Sequence, residues 1–238
     1  MAVAVAQQIT SGNQASGSAF TLSLSGIGAT STLVVMTANN RGSSSYISAI
    51  TDNAATPYTW SRITNFADAS GNALDVWQGI GGSGGSVTVT VSLGTSCGYN
   101  GQLYELTGTN LTNPVDRTSG AAPAINNGTS TPGGPGTLAT VTPSATGELV
   151  MGCLCTGGGY ISGPSSPWTN VHADYGGSTT RSGVVSGTGY STSWMLNGSN
   201  MWITASIIFQ PPATAAAAAP FWMTQPMVPI RPSVPVGA

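Results

Sequence analysis

The groups able to do chemistry in this 238-residue chain are few: seven Asp or Glu, five Arg, one His and three Cys, with no lysine. Three of the acids, Asp75, Glu105 and Glu148, fall in runs that read as β-strands, where a carboxylate can face a concave sheet. Hydrolysis of a glycosidic bond uses two carboxylates about 5 to 10 Å apart, one delivering a proton and one attacking or activating water. Nothing in the spacing of these three places any two of them together. As paired or solvent-facing strand residues they are explained more simply.

His172, in VHADY, is the only histidine, so a Ser-His-Asp triad would have to use it, with Asp174 on the same strand face two residues on. No G-x-S-x-G elbow accompanies it, and it reads as a solvated strand-end histidine. Cys153 and Cys155 lie on an apparent strand with Cα atoms about 6.5 to 7 Å apart, too far for an easy disulfide. They read as buried thiols on one sheet face, and a metal would need further His or Cys ligands. The glycine runs 81–85 and 157–159 lack the Lys and helix of a phosphate loop and read as turns. No catalytic residue, metal ligand or cofactor is assigned, and the expectation is a protein that is not an enzyme.

The elements that would position these groups read as strands. From Ala73 to Gly108, three strands and two turns are expected: Leu74, Val76 and Gln78 alternate with Asp75, Trp77 and Gly79. Gly81 to Gly85 then breaks the run, and Val87, Val89 and Val91 resume the period of two. Gly94 to Gly98 supplies the second break, and Tyr99 to Leu106 the third strand. The valine ladder needs an opposing apolar sheet. Earlier strands are expected at Ala2–Ile9, Phe20–Leu24, Thr32–Ala38, Tyr46–Thr51 and Tyr58–Thr64, and a long polar connection at Thr109–Gly136.

The second half repeats the first in outline. Thr32–Met36 (TLVVM) corresponds to Glu148–Gly152 (ELVMG), and Pro57–Trp60 to Pro167–Asn170. Asp75–Gly79 corresponds to Ser182–Gly187, and Gly101–Gly108 to Met201–Phe209. The fold class expected is all-β, an antiparallel β-sandwich of jelly-roll type built from two similar strand sets, with both halves contributing strands to both sheets. The body spans 1–210, with the pseudo-repeat at about 18–108 and 137–210. An extended Pro/Ala-rich C-terminal arm covers 211–238.

Composition narrows the partners. Charged residues are 5% of the chain and the net charge is −2, against about 25% charged in an ordinary domain. The arginines, Arg41, Arg62, Arg117, Arg181 and Arg231, are scattered, so nucleic-acid binding has no basic stripe to rest on. No apolar window reaches the roughly 18 residues needed to span a bilayer, and MAVAVAQQIT lacks the basic start of a secretory signal. Synthesis in a cytoplasm is the expectation. Trp60, Trp77, Trp168, Trp194 and Trp202 fall in strands and suit core packing; a flat exposed row of them would instead bind glycan.

The arm carries seven prolines, and Pro226, Pro229, Pro232 and Pro235 recur every third residue, as suits a stiff polyproline II segment. Its apolar residues Phe221, Trp222, Met223, Met227, Val228 and Ile230 are the expected partner-binding set, seated in a groove of a neighbouring subunit.

The strand LVVM or ELV, the P-W-T turns, DVWQGIGGSGGSVTVTVS, QLYELTGTNLTNPVDRTSG and the closing ITASIIFQP together resemble β-sandwich modules of bacteriophage structural proteins and bacterial surface proteins. The likeness covers about Phe20 to Pro211, and its most specific piece is Asn113–Gly120. It implies a non-enzymatic role in a virion, made in the host cytoplasm, and offers no catalytic residues. The expectation is a capsid decoration or cement protein, homo-oligomeric and attached to the major capsid protein or other virion subunits. The alternative is a tail or fibre module binding a receptor or, weakly, a carbohydrate; an extracellular glycan-active enzyme ranks below both.

Overall fold

The computed structural model describes residues 1–40, 47–68, 71–117, 123–129, 134–157, 160–173, 176–197 and 201–213. Among the described residues strands make up 66%, with no helix, and two large antiparallel sheets pack face to face as a β-sandwich.

The first sheet is built from β1 (Ala4–Ile27), β2 (Thr32–Asn40), β3 (Ile47–Asp52), β4 (Thr59–Ala67), β5 (Asn72–Ile80) and β6 (Gly85–Thr107), in the order β1-β6-β2-β5-β4. β1 and β6 are single long strands, where the sequence suggested two strands each, and they pair from Ala4↔Thr107 to Ile27↔Gly85. The expected break at Gly94–Gly98 is absent because β1 shifts register opposite it, between Gln14 and Gly17 and between Gly17 and Ala19, and the ribbon bends instead of ending.

Beyond the bend β6 changes partners. Its later half pairs β2, from Thr32↔Leu106 to Asn40↔Gly98, and its earlier half pairs β3, from Ile47↔Leu93 to Asp52↔Val89. The ribbon thereby folds back over its own sheet. Phe20, Leu22, Val87, Val89, Val91 and Ile50 are buried on Leu33, Val35 and Leu103, so the valine ladder is covered within its own half. At Gly101 an added Cβ would meet the Phe20 ring at 2.2 Å, which makes glycine the residue that lets this layer close.

The second half forms β7 (Ala124–Thr129), β8 (Pro135–Thr137), β9 (Leu149–Thr156), β10 (Tyr160–Ser162), β11 (Thr169–Ala173), β12 (Gly176–Arg181), β13 (Ser193–Leu196) and β14 (Met201–Phe209). The main sheet runs β7-β14-β9-β12-β11 and a small one β8-β13-β10. These orders match the first half. β7, β14, β9, β12 and β11 stand where β1, β6, β2, β5 and β4 stand, and β8-β13-β10 repeats the folded-over layer of late β1, early β6 and β3. The counterpart of β5 is Gly176–Arg181; the sequence pairing with Ser182–Gly187 falls just past that strand. β7 also lies inside the stretch read as a polar connection.

Each half supplies one whole sheet, which corrects the expectation that both halves contribute strands to both sheets. The reason is double burial. β2 sends Val34 and Met36 to the interface between sheets and Leu33 and Val35 to its own cover, so no exposed face remains on which strands could be exchanged. In β9, Leu149, Met151, Cys153 and Cys155 face the first sheet. The other face of this second sheet is covered by Leu138, Trp194 and Leu196 at Leu154 and Trp202, and by Val184 and Tyr190 at Val150 and Ile208. Four layers result.

Between the sheets a polar group sits among apolar neighbours. Tyr104 donates its hydroxyl proton to Gln102 Oε1 at 2.9 Å, and Ser178 of β12 hydrogen-bonds both residues from the opposite sheet. Such a satisfied buried cluster sets how one sheet lies on the other. Beside it, Gly176 has no room for a side chain: an added Cβ would lie 2.5 Å from the Ala38 Cβ. Gly176→Ala is therefore expected to lower stability by about 1–3 kcal/mol through overpacking. Adding Ala38→Gly should recover most of the loss. Urea unfolding checks both, and a Gly176→Ala chain as stable as the parent contradicts the spacing of the sheets.

Candidate functional site

Asp75 lies in β5, fully buried beneath β3. Its carboxylate accepts from Arg62 Nε at 3.1 Å, a second Arg62 nitrogen at 3.2 Å and the Ile47 backbone N–H at 3.0 Å. The same arginine donates to the Ile47 carbonyl at 2.7 Å and rests over the Trp77 ring, 4.9 Å from its centroid. Burial pushes the Asp75 carboxyl up to about 6, although the Arg62 guanidinium pulls the other way. This acid clamps the first residue of β3 onto β4 and β5.

Glu105, in β6, holds the turn between β1 and β2. It accepts from Gly28 N–H at 2.8 Å, Ser31 Oγ at 2.5 Å and Gln7 Nε2 at 2.6 Å. Burial alone would raise its pKa; these three donors outweigh burial and hold it below the ordinary value. Asp75 and Glu105 are opposite Thr37 and Leu33 of β2, on its two flanks. Strand rise and spacing put them roughly 16 Å apart, well outside the range for a shared glycosidic bond.

Glu148 precedes β9 at the end of the sandwich. There β14 is flanked on one side by β9, with Leu149 opposite Phe209, and on the other by 114–116, through the Val115–Phe209 bridge and the Asp116 N–H to Ile208 carbonyl bond of 2.9 Å. Val115, Leu149 and Phe209 all enter the core between the sheets. Their neighbours Asp116 and Glu148 turn to the opposite face and are both fully buried. Glu148 Oε1 accepts Ser144 Oγ at 3.2 Å, and Oε2 has no hydrogen-bond partner among the described residues. Burial raises the Glu148 pKa, and the Asp116 charge raises it further.

Glu148 lines a cleft of about 420 Å³, together with Met1, Asn110, Gln210 and the departing chain at Pro211 to Ala213. Of the two neighbouring acids, only Glu148 is part of its wall.

The structure thus separates Asp75 from Glu105 and places Glu148 within reach of the Asp116 charge, an acid to which the sequence reading gave no role. The NPVDR stretch quoted as a motif is what pairs with β14, Val115 bridging Phe209 and the Asp116 N–H donating to Ile208, so β14 lies between Asp116 and β9. Cys153 and Cys155 are buried between the sheets, where burial pushes both thiols up to about 12. The tryptophans pack inward: Trp194 and Trp202 are buried, and the half-buried Trp60, Trp77 and Trp168 join the same clusters. Asp174, the His172 side chain, and Phe221, Trp222, Met223, Met227, Val228 and Ile230 lie outside the described residues.

No protein-family model, curated protein or solved structure matches the chain.

Replacing Arg62 by Leu leaves the Asp75 carboxylate buried without its cation, and the expected loss at pH 8 is about 3 kcal/mol, the low end of the range for breaking a buried pair because Arg62 is partly open to solvent. An acid with a raised folded pKa binds its proton more tightly folded than unfolded, so stability falls as pH rises from the unfolded value through the folded one. Without Arg62 that folded value rises above about 6, and the deficit should shrink at pH 5. Urea midpoints at both pH values check this, and an equal loss at each contradicts it.

Proposed function

We propose that this chain is a non-enzymatic structural protein of a bacteriophage particle, a capsid decoration or cement protein whose C-terminal arm attaches it to neighbouring shell subunits. The observation that carries the reading is where the body ends. The four apolar clusters are assembled from residues up to Phe209. Pro212 and Ala213 then stand exposed at the surface, with the Pro-rich segment 214–238 still to follow. A body whose last described residues lie exposed, and whose sequence goes on into a long apolar and proline-rich segment, suits attachment rather than turnover.

Two further features support it. Asp75 and Glu105 are spent on holding β3 and the β1–β2 turn in place, not on lining an open cleft. The sequence likeness to phage structural modules supplies the virion as the setting, and the weakly charged surface suits a protein packed against neighbours. The segment's apolar anchors, Phe221 and Trp222 foremost, would fill pockets on a shell subunit, which gives contact area without enlarging the core.

A chain ending at residue 213, co-expressed with the shell subunits beside the full chain, tests the arm. The shortened chain is expected to keep the thermal transition of the body and to be missing from purified particles. Its presence at the full chain's copy number would overturn attachment through the arm.

A further inference from the structure

Among the described residues two arginines lie against tryptophan, one in each half, and only the first has a carboxylate. Arg62 rests over Trp77 and is paired with Asp75. In the second half Arg181, the last residue of β12, has its guanidinium 5.9 Å from the centre of the Trp168 ring and 4.9 Å from that of Tyr190. The two places correspond. Trp77 stands opposite Val35 of β2 and Arg181 opposite Val150 of β9, and both valines face the covering layer of their half. Two residues earlier the first half has Asp75, opposite Thr37, and the second has Thr179, opposite Gly152. The Thr179 hydroxyl donates to the Thr169 carbonyl at 3.2 Å. The second half thus keeps the stack of arginine on tryptophan and lacks the acid.

Among the described residues Arg181 has no hydrogen bond and no ion pair, it is partly exposed, and none of its nitrogens is sealed from solvent. A guanidinium carries five donors in a planar fork that fits a carboxylate with two parallel hydrogen bonds. A fork already fixed by its neighbours loses less freedom when such a pair forms. Val185, 53% exposed, gives it an apolar neighbour, because its N–H donates to Tyr190 Oη at 2.8 Å. The described acids are all engaged elsewhere. Asp75, Glu105, Asp116 and Glu148 are buried, Asp52 accepts from Ala54, Tyr58 and Trp60, and Asp68 accepts from Asn72. A second copy of the described body therefore brings no free carboxylate to complete the fork, which points to a different molecule.

One arginine matches one negative charge. A phosphate draws on a basic cluster or a helix N-terminus, and the described residues hold neither here. An acidic sugar stacks on an open aromatic face, but Trp168 is half-buried with Arg181 over it and Tyr190 is buried. A protein side chain needs only the fork and an apolar rim, and arginine, tryptophan and tyrosine are the residues that most often anchor protein interfaces. We propose that Arg181, held by Trp168 and Tyr190, binds an Asp or Glu side chain of the shell subunit on which the body sits. This contact depends on the chain being a shell protein, as proposed above, and gives the body a hold of its own beside that of the arm.

Particles assembled without this chain, titrated with the purified full chain, test the contact. Arg181→Gln is expected to raise the half-saturating concentration about tenfold, the effect of losing one charge-assisted pair. Arg181→Lys keeps the charge without the fork and should stay several-fold weaker than the parent; it decides the matter should the Gln chain lose the parent's thermal transition. Raising sodium chloride from about 0.05 to about 0.5 M should weaken the parent more than the Gln chain. Poly-L-glutamate should displace the parent, and polygalacturonate at equal carboxylate concentration should displace it less. A parent that does not bind the particles defeats the shell reading and this contact with it. A parent that binds while both variants bind equally well overturns the contact alone. So does equal salt sensitivity of parent and Gln chain, or polygalacturonate as the better competitor, which makes an acidic glycan the ligand.

Discussion

Two sheets that are apolar on both faces govern this molecule. A sheet of that kind needs a cover on each side, and each half of the chain provides one from itself: the folded-back β1–β6 ribbon with β3 in the first half, β8-β13-β10 with the 184–190 segment in the second. One bare face per half remains, and the two bare faces close on each other. Because the halves share a strand order, the contact between them has the self-matching character of a two-fold interface. β2 lies against β12 on one side of that interface, and the corresponding pair, β9 against β5, lies on the other.

A chain with few charges uses them inside. Asp75 joins β5 to β3, and Glu105 holds the β1–β2 turn, and the pKa direction of each follows whether its donors outweigh burial. Three donors hold Glu105 below its ordinary value, while one arginine and one backbone N–H leave burial dominant at Asp75. At Glu148 burial again outweighs the hydrogen bonds, and the Asp116 charge raises it further. The buried acids thus differ in which effect wins, the donors at Glu105 and burial at Asp75 and Glu148.

Much of the strand set was legible because period-two alternation and glycine-rich turns are local signals. Thr32–Ala38, Tyr58–Thr64 and the turn at Asp52–Pro57 lie where the pattern put them. The long ribbon was not legible. Gly94–Gly98 looks like a turn from local residues alone, yet a strand passes through when its partner bulges opposite it, and the partner, Gln14 to Ala19, is some 80 positions away in sequence. β7 was missed for a related reason: AINNGT carries no apolar alternation, and it is a strand because the edge of β14 pairs with it.

The residues by themselves determined that this is an all-β chain with a repeated strand set and poor charge, since alternation, turn chemistry and composition are properties of neighbours along the chain. Which sheet each half joins, which faces are covered, and which charges act on one another were decided only in three dimensions. Ser178 reaches Gln102 and Tyr104, and Asp116 stands near Glu148, through pairings that span from about thirty to more than seventy residues. No local pattern encodes them, because burial on the second face of a sheet depends on what the rest of the chain lays upon it.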